Sequence, residues 1–440
     1  MFKSQTKAAN QLYGKEQTPR QFIRSLGYVK LATFKASMEL NSSLPPETCL
    51  HIESIMGDVI KGVYDEYFTL PLEQGGAGTS LHINYMETIG SILKEKYSID
   101  IDIFEALNIY QSTNDVIPSA FVIMILEGLE EIEQKVIKLQ ENLVLWEQKT
   151  SNHLIWGYTE LQRALPIQLG QVFASWAGAI ERDRWRISKL QERSRMIPLG
   201  GTALGTSFFA PQKYIFKAEQ YLRQLTGLAL SRSQNLPDSI SNWDWLTEVV
   251  NGYSLIADNL YKISSDISLY MQSDINILQH PNITFGSSIM GIKQNPVILE
   301  FVRGLSLSIS NGSKLIGEYS KLGQWQLNPF LPFMISTFID IHDKTKKTLH
   351  SLNDNLLPQM EINTFEEDSY LFSKPEILNL LRPVCHYIDI KNIQKLYKRA
   401  EVKTKNDLVQ FLQKHIPKAD DFWEKYFSYN HITGPLRYDK

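Results

Sequence analysis

Two cysteines, Cys49 and Cys385, are all that the chain holds, and they stand far apart. A disulfide framework and a cysteine metal site are therefore not indicated, and both are expected to be ordinary buried thiols. Excess charge of one sign is missing too. Lys+Arg 45 nearly balances Asp+Glu 48, for a net −3. That balance leaves no basic footprint for nucleic acid and no acidic tail. No run of about 18 apolar residues occurs, so no membrane-spanning helix is expected. The segment Met1 to Asn10 lacks the apolar core of a secretory signal. A soluble, cytoplasmic protein is the expectation. No His, Cys or carboxylate cluster has ligand spacing, so neither a metal nor a cofactor is expected. Internal repeats, low-complexity tracts and long strand-like alternation are also absent.

What is present is helical periodicity. The 440 residues, 43% of them apolar, suffice for two or three domains or one elongated helical body. Leu169, Val172, Phe173, Trp176, Ile180, Ile187 and Leu190 follow one helix face, with Pro166 suited to the first turn. Leu246, Val249, Val250, Tyr253, Ile256, Leu260 and Ile267 do the same between Trp243 and Met271. Further runs begin near Val297 and span Ala120 to Leu139, the latter with acids early and lysines late, as the helix dipole favours. These helices are apolar on more than one side, so they are expected to be buried on several sides. The fold class read from them is all-α, with a central bundle that packs against other subunits. Glu361 to Lys374 is acidic and poorly periodic and reads as a linker before short helices from Pro375 to Phe427.

Polar segments interrupt the helices. Gln74-Gly75-Gly76-Ala77-Gly78-Thr79-Ser80 has a glycine-rich turn but lacks the Lys-Ser/Thr ending of a phosphate-binding P-loop. Gln111-Ser112-Thr113-Asn114-Asp115 has the residues favoured as helix caps. Gly157 to Arg163 is weaker. Gly286-Ser287-Ser288-Ile289-Met290-Gly291-Ile292-Lys293-Gln294-Asn295-Pro296 combines hydroxyls, a cation and an amide in a glycine-bearing loop. Such composition suits a mobile lid that meets a carboxylate.

In this order, and ahead of long helices, these segments resemble the aspartase/fumarase superfamily. The last loop is similar to its Gly-Ser-Ser-Ile-Met-Pro-Gly-Lys-x-Asn-Pro signature, with Glu300 in the place of a downstream glutamate. Gln74 to Ser80 and Gln111 to Asp115 resemble the aspartase forms more than the fumarase forms. Gly200 to Thr206 and Leu327-Asn328 fit two further stretches, and Leu381 to Leu412 looks like the small C-terminal domain. The resemblance covers nearly the whole chain, with the N-terminal part shortened near Gln21. It implies three domains: an N-terminal helical domain over 1–110, a long-helix bundle over 111–360 and a small helical domain over 361–440. It also implies a homotetramer whose active sites draw on three chains and take a small dicarboxylate or amino-acid substrate.

The chemistry implied by the resemblance is β-elimination from a succinyl-type substrate to give fumarate. Ser287 would be the base, as an alkoxide stabilised by loop amides and Lys293. Thr79, Ser112, Thr113 and Ser288 would donate to the carboxylate that becomes an enediolate, with Ser80 also among the substrate-binding residues. Lys293, Asn295 and Thr159 would hold the other carboxylate, and Asn114 would contact the leaving amine. Departures from the pattern matter. Gly291-Ile292 replaces Pro-Gly, which loosens one position and crowds the next. His82 and Met86 stand where Asn is usual, and for His82 packing and substrate contact both stand open. Tyr158 replaces an arginine. Glu160 replaces a His or Gln that pairs with the glutamate matching Glu300. Two adjoining carboxylates would raise one pKa, so Glu160 is either protonated, imitating Gln, or ionised against a cationic amine. A carbon–nitrogen lyase acting on L-aspartate or an N-substituted aspartate is the preferred expectation. The alternatives are a lyase for another succinyl substrate, fumarase included, and a catalytically silent tetrameric homologue.

Overall fold

The apolar stripes become buried helix faces in a computed structural model that describes residues 4–40, 44–280, 288–363, 366–419 and 421–432. Long helices span Thr113–Lys149, Leu169–Arg193, Asp244–Met271, Val297–Ser320 and Leu331–His350. Strands among the described residues are short, and the all-α expectation holds. No described helix is long and apolar enough to cross a membrane. The chain divides into two compact units. The first takes Met1–Val136, Asp183–Ser264 and Glu300–Ser351, the second Ile137–Arg182, Ser265–Leu299 and Leu352–Lys440.

In the first unit, aromatic rings join three of the long helices. Phe121 stacks near Trp243 with centroids 5.7 Å apart and meets Phe338 edge-on at 5.6 Å, while Tyr253 meets Phe338 at 5.7 Å. Such geometry suits the ring quadrupoles and adds to the area buried. Small residues let backbones approach: a side chain on Gly312 would come within 2.9 Å of Ile341, and Ser313 Oγ donates to the Val250 carbonyl at 2.8 Å. The same unit holds the Arg20–Leu40, Pro46–Lys61 and Thr79–Tyr97 helices, the second packed against the other two. Pro46 opens the second of these, where a missing N–H costs nothing, and left-handed Gly62 closes it.

The second unit departs from the sequence reading in three places. Gly157 to Arg163 is part of an antiparallel hairpin, Leu154–Thr159 paired with Gln162–Gln168. Pro166 lies within its second strand opposite Trp156, not in a helix's first turn. Proline is tolerated there because a two-stranded ribbon is all edge, and an irregular register at Trp156/Tyr158 relaxes the ladder. Glu361 to Lys374 is no mere linker: Glu361–Ile362 pairs with Leu278–Gln279, and Glu367–Phe372 is helical. The cysteines also differ from expectation, both being only half-buried.

The hairpin belongs to the core of the small helical cluster. Leu154 and Trp156 pack with Leu371, Phe372, Leu378, Leu408, Leu412 and Trp423. Trp156 is fully buried, and its Nε1–H donates to the Tyr370 carbonyl at 3.1 Å. Trp156→Ala should therefore lower the unfolding free energy by about 3–5 kcal/mol. Chemical denaturation checks this, and an unchanged midpoint would contradict the packing described.

Candidate active site

Glycines permit the first turn of the site. Gly76 and Gly78 take φ of +84° and +89°, and Ala77 between them takes +57°. This puts Thr79 at the start of the Thr79–Tyr97 helix, its N–H and Oγ1 both donating to the Gly76 carbonyl, at 3.0 and 2.8 Å. Thr79 is exposed and Ser80 half-buried. A side chain on Gly78 would meet Ile117 at 3.3 Å, so this helix start adjoins that of Thr113–Lys149.

The second start is capped as the residue types require. Ser112 Oγ accepts the Asn114 N–H at 3.2 Å, and Asp115 Oδ1 returns to the Ser112 N–H at 3.0 Å. Asp115 does more than cap. Its Oδ2 accepts the N–H groups of Gly200 at 3.1 Å and Thr202 at 3.0 Å, which draws in the Gly200 to Thr206 segment. Asn114 Nδ2 donates to the Ala203 carbonyl at 2.9 Å in the same segment. Burial pushes the Asp115 carboxyl up to about 6, although three backbone N–H groups and the Lys30 charge pull the other way. Ser112, Thr113 and Asn114 stay half-buried, within reach of a ligand.

Thr113 has an inner partner that the sequence did not assign. Its Oγ1 lies 3.1 Å from His82 Nδ1, and His82 Nε2 lies 3.0 Å from Lys30 Nζ. Lys30 Nζ also donates to the Leu107 carbonyl and to Gln111 Oε1, both at 2.7 Å. Lys30 is fully buried and His82 is 1% exposed. Desolvation brings the lysine down to about 7 and holds the imidazole well below its usual value. The clue was available, since Lys30 interrupts an apolar stripe with Leu26 one turn before it and Phe34 one turn after. What it would touch was not.

The remaining candidates belong to other segments. Thr159 and Glu160 sit at the exposed hairpin tip of the second unit. Glu160 and Leu161 take φ of +50° and +62°, the two-residue turn that ordinarily favours Asn-Gly. Ser288 and Lys293 are exposed in the loop before the Val297–Ser320 helix, and Asn295 is half-buried there. The Lys293 N–H donates to the Met290 carbonyl at 3.1 Å. Ile292 is 99% exposed, so no described residue crowds it, and no described atom lies within 4 Å of a side chain added at Gly291. Glu300 is exposed in the first turn of that helix, within the first unit. Ser287 lies outside the described residues. Among the described residues no group of three or more His, Cys, Asp or Glu is placed to hold a metal ion.

A family model described as lyase matches residues 3–310. This chain belongs to the aspartase/fumarase superfamily. Within the superfamily it is 29% identical to an aspartate ammonia-lyase of a Bacillus species over 377 residues, covering 83% of this chain and 80% of that one. It is 27% identical to a class II fumarate hydratase of Bacillus subtilis, covering 87% and 85%. A fumarate lyase/delta crystallin from Brucella melitensis superposes with a TM-score of 0.87 at 25% identity, covering 97% and 96%. Lyase membership is thus established, while aspartase and fumarase relatives stand almost level.

Two outcomes are expected from this geometry. Burial raises the Asp115 carboxyl to about 6 in the folded chain, above the 3.8 of a solvated aspartate. Its contribution to stability is whole below the lower value and is lost as pH rises through the upper one. Asp115→Asn should remove that slope, visible as Tm against pH, and should cost about 1–3 kcal/mol because an amide cannot accept all three N–H bonds. Leu161→Gly should stabilise the hairpin by about 1 kcal/mol by relieving the left-handed strain; a lower Tm would contradict the turn assignment.

Proposed function

We propose that this member of the superfamily is a carbon–nitrogen lyase of aspartase type, releasing ammonia or an amine from L-aspartate or an N-substituted aspartate. The observation that carries the reading is the pair of adjoining helix starts, where Ser80, Ser112, Thr113 and Asn114 bring hydroxyl and amide groups together within one anchored unit, with Thr79 beside them once its hydroxyl turns from the Gly76 carbonyl to a ligand. Helix N-termini favour anions, and donors placed for a developing carboxylate dianion are the main requirement of the chemistry. Asn114 adds to this: its Nδ2 is engaged by Ala203, which leaves Oδ1 to accept from an ammonium.

In the proposed reaction Ser287, as alkoxide, takes the proton from the carbon beside one carboxylate. The electron pair enters that carboxylate as an enediolate, held by the helix-start donors and Ser288. It then returns as the carbon–carbon double bond while the carbon–nitrogen bond breaks, giving fumarate and the free amine. Lys293, Asn295 and Thr159 hold the second carboxylate. Glu160, a carboxylate where fumarase-type sites have His, favours an amine over water as leaving group, with Glu300 as its partner across the shared site. A homotetramer, the three-domain division at 110 and 360, and a cytoplasmic location belong to the same reading.

Ultraviolet absorbance of fumarate tests it. Purified protein should release fumarate from L-aspartate or an N-substituted aspartate, and Ser287→Ala should lose about 10²–10⁴-fold in rate. Release from malate alone would favour the fumarase reading, and flat traces in both directions a silent homologue. Glu160→Gln should keep activity if the neutral carboxyl works, or lose amine substrates selectively if the carboxylate does. An unchanged pH profile and substrate choice would discard both roles.

A further inference from the structure

Carbonyl oxygens accept and never donate, and this simple constraint fixes the inner end of the buried chain behind Thr113. Two of the three neighbours of Lys30 Nζ are such oxygens, the Leu107 carbonyl and Gln111 Oε1. The orientation of the Gln111 amide is set in turn, because its Nε2 donates to the Leu107 carbonyl at 3.2 Å. Lys30 must therefore donate to both oxygens. The third neighbour, His82 Nε2, then depends on the lysine's charge. An ammonium has a third N–H to give, so Nε2 accepts, the imidazole proton sits on Nδ1, and Nδ1–H donates to Thr113 Oγ1. The threonine hydroxyl, already accepting from the inside, has its own proton to donate outward. A neutral amine reverses each step: Nε2–H donates to the lysine lone pair, bare Nδ1 accepts, and the Thr113 proton is drawn inward.

We infer that Lys30 and His82 are positioning residues that aim the Thr113 hydroxyl proton at the substrate carboxylate, with the charge of Lys30 setting the direction of the whole relay. The inference rests on the proposed role of Thr113 in binding a dicarboxylate. The groups around the relay are mixed. His82 faces Lys30 from the Thr79–Tyr97 helix, and Asp115 acts on it from the Thr113–Lys149 helix. Tyr214, on the Gln212–Thr226 helix, faces Asp115 in turn, and Tyr110 packs against Tyr214 with ring centroids 5.1 Å apart. Asp115 favours the ammonium, while burial opposes it and brings Lys30 down to about 7. The relay therefore reverses near neutral pH. Below that value Thr113 is a donor to an anion; above it Thr113 presents lone pairs to one.

Two measurements on the full-length protein test this. Nitrogen NMR of histidine-labelled protein, with His82 assigned by its loss in His82→Asn, reads the tautomer without any substrate. The proton should be on Nδ1 below pH 6 and on Nε2 above pH 8.5, and Lys30→Met should abolish the change. A tautomer that does not move with pH, or one that starts on Nε2, overturns the inference. Calorimetric titration with succinate, a dicarboxylate that cannot eliminate, reads the consequence. Affinity should fall about tenfold or more across the same pH range, as expected for losing a hydrogen bond to a charged group. Lys30→Met and Thr113→Val should each weaken binding at low pH, and the double variant should be no weaker than Thr113→Val alone. Additive losses would overturn the link to Thr113. His82→Asn should keep the low-pH affinity, because one carboxamide carries the same acceptor and donor pair, while His82→Leu should lose it. A moving tautomer with no succinate binding in the unmodified protein would leave the relay standing and remove the dicarboxylate reading.

Discussion

A carboxylate with almost no access to water holds the first unit's site together. Asp115 accepts one N–H from the cap of its own helix and two from Gly200 and Thr202, more than eighty residues away. Burying such a group is costly unless its lone pairs are filled, and here backbone amides fill them. The helix start, the distant loop and Asn114 are thereby set in one arrangement, and the hydroxyls of Ser112 and Thr113 inherit their positions from it. The Lys30 charge belongs to the same balance, since each of the two groups favours the ionised form of the other.

Backbone strain is shared between these turns and others, five of the ten described non-glycine residues with positive φ lying here. Ala77, Tyr110, Thr202 and the pair Glu160-Leu161 all take positive φ without being glycine, each within two residues of a candidate contact or its anchor. Positions of this kind cost of order 1–3 kcal/mol and persist only when the surroundings over-determine them. In the first unit the over-determination is visible in the hydrogen bonds of Asp115 and the Gly76 carbonyl. In the hairpin it is visible in the burial of Trp156, in the strand that leads to the strained turn. The loop from Ser288 to Asn295 has a different character, with Ile289 and Ile292 turned to solvent. It suits a segment that takes its working arrangement against a ligand or another chain.

Much of the fold was legible because helical burial is periodic. Phe173, Trp176 and Ile180 recur at the spacing of a helix face, and no other element places them on one side. Turn chemistry was legible where one residue type is needed, as at Gly76 and Gly78. The hairpin was not, because its two-residue turn uses Glu160-Leu161 in place of Asn-Gly and its second strand contains a proline. Likewise Glu361-Ile362 pairs with Leu278-Gln279, and so short a ladder over so long a separation leaves no local pattern. In the site, hydroxyl and amide residues near helix starts stood out by type and order, whereas Lys30 was only an oddity on an apolar stripe.

The sequence by itself determined the all-α class, the order of the long helices, the family and the set of candidate polar residues. Each follows from spacing or from local residue type, both of which are properties of neighbouring positions along the chain. Only the tertiary structure decided that Asp115 reaches Gly200, that Trp156 belongs to the C-terminal core, and that Lys30 stands behind His82 and Thr113. Those contacts join positions from 31 to more than two hundred residues apart. A hydrogen bond's direction further depends on what every partner can donate or accept, and that is defined only once the partners have met.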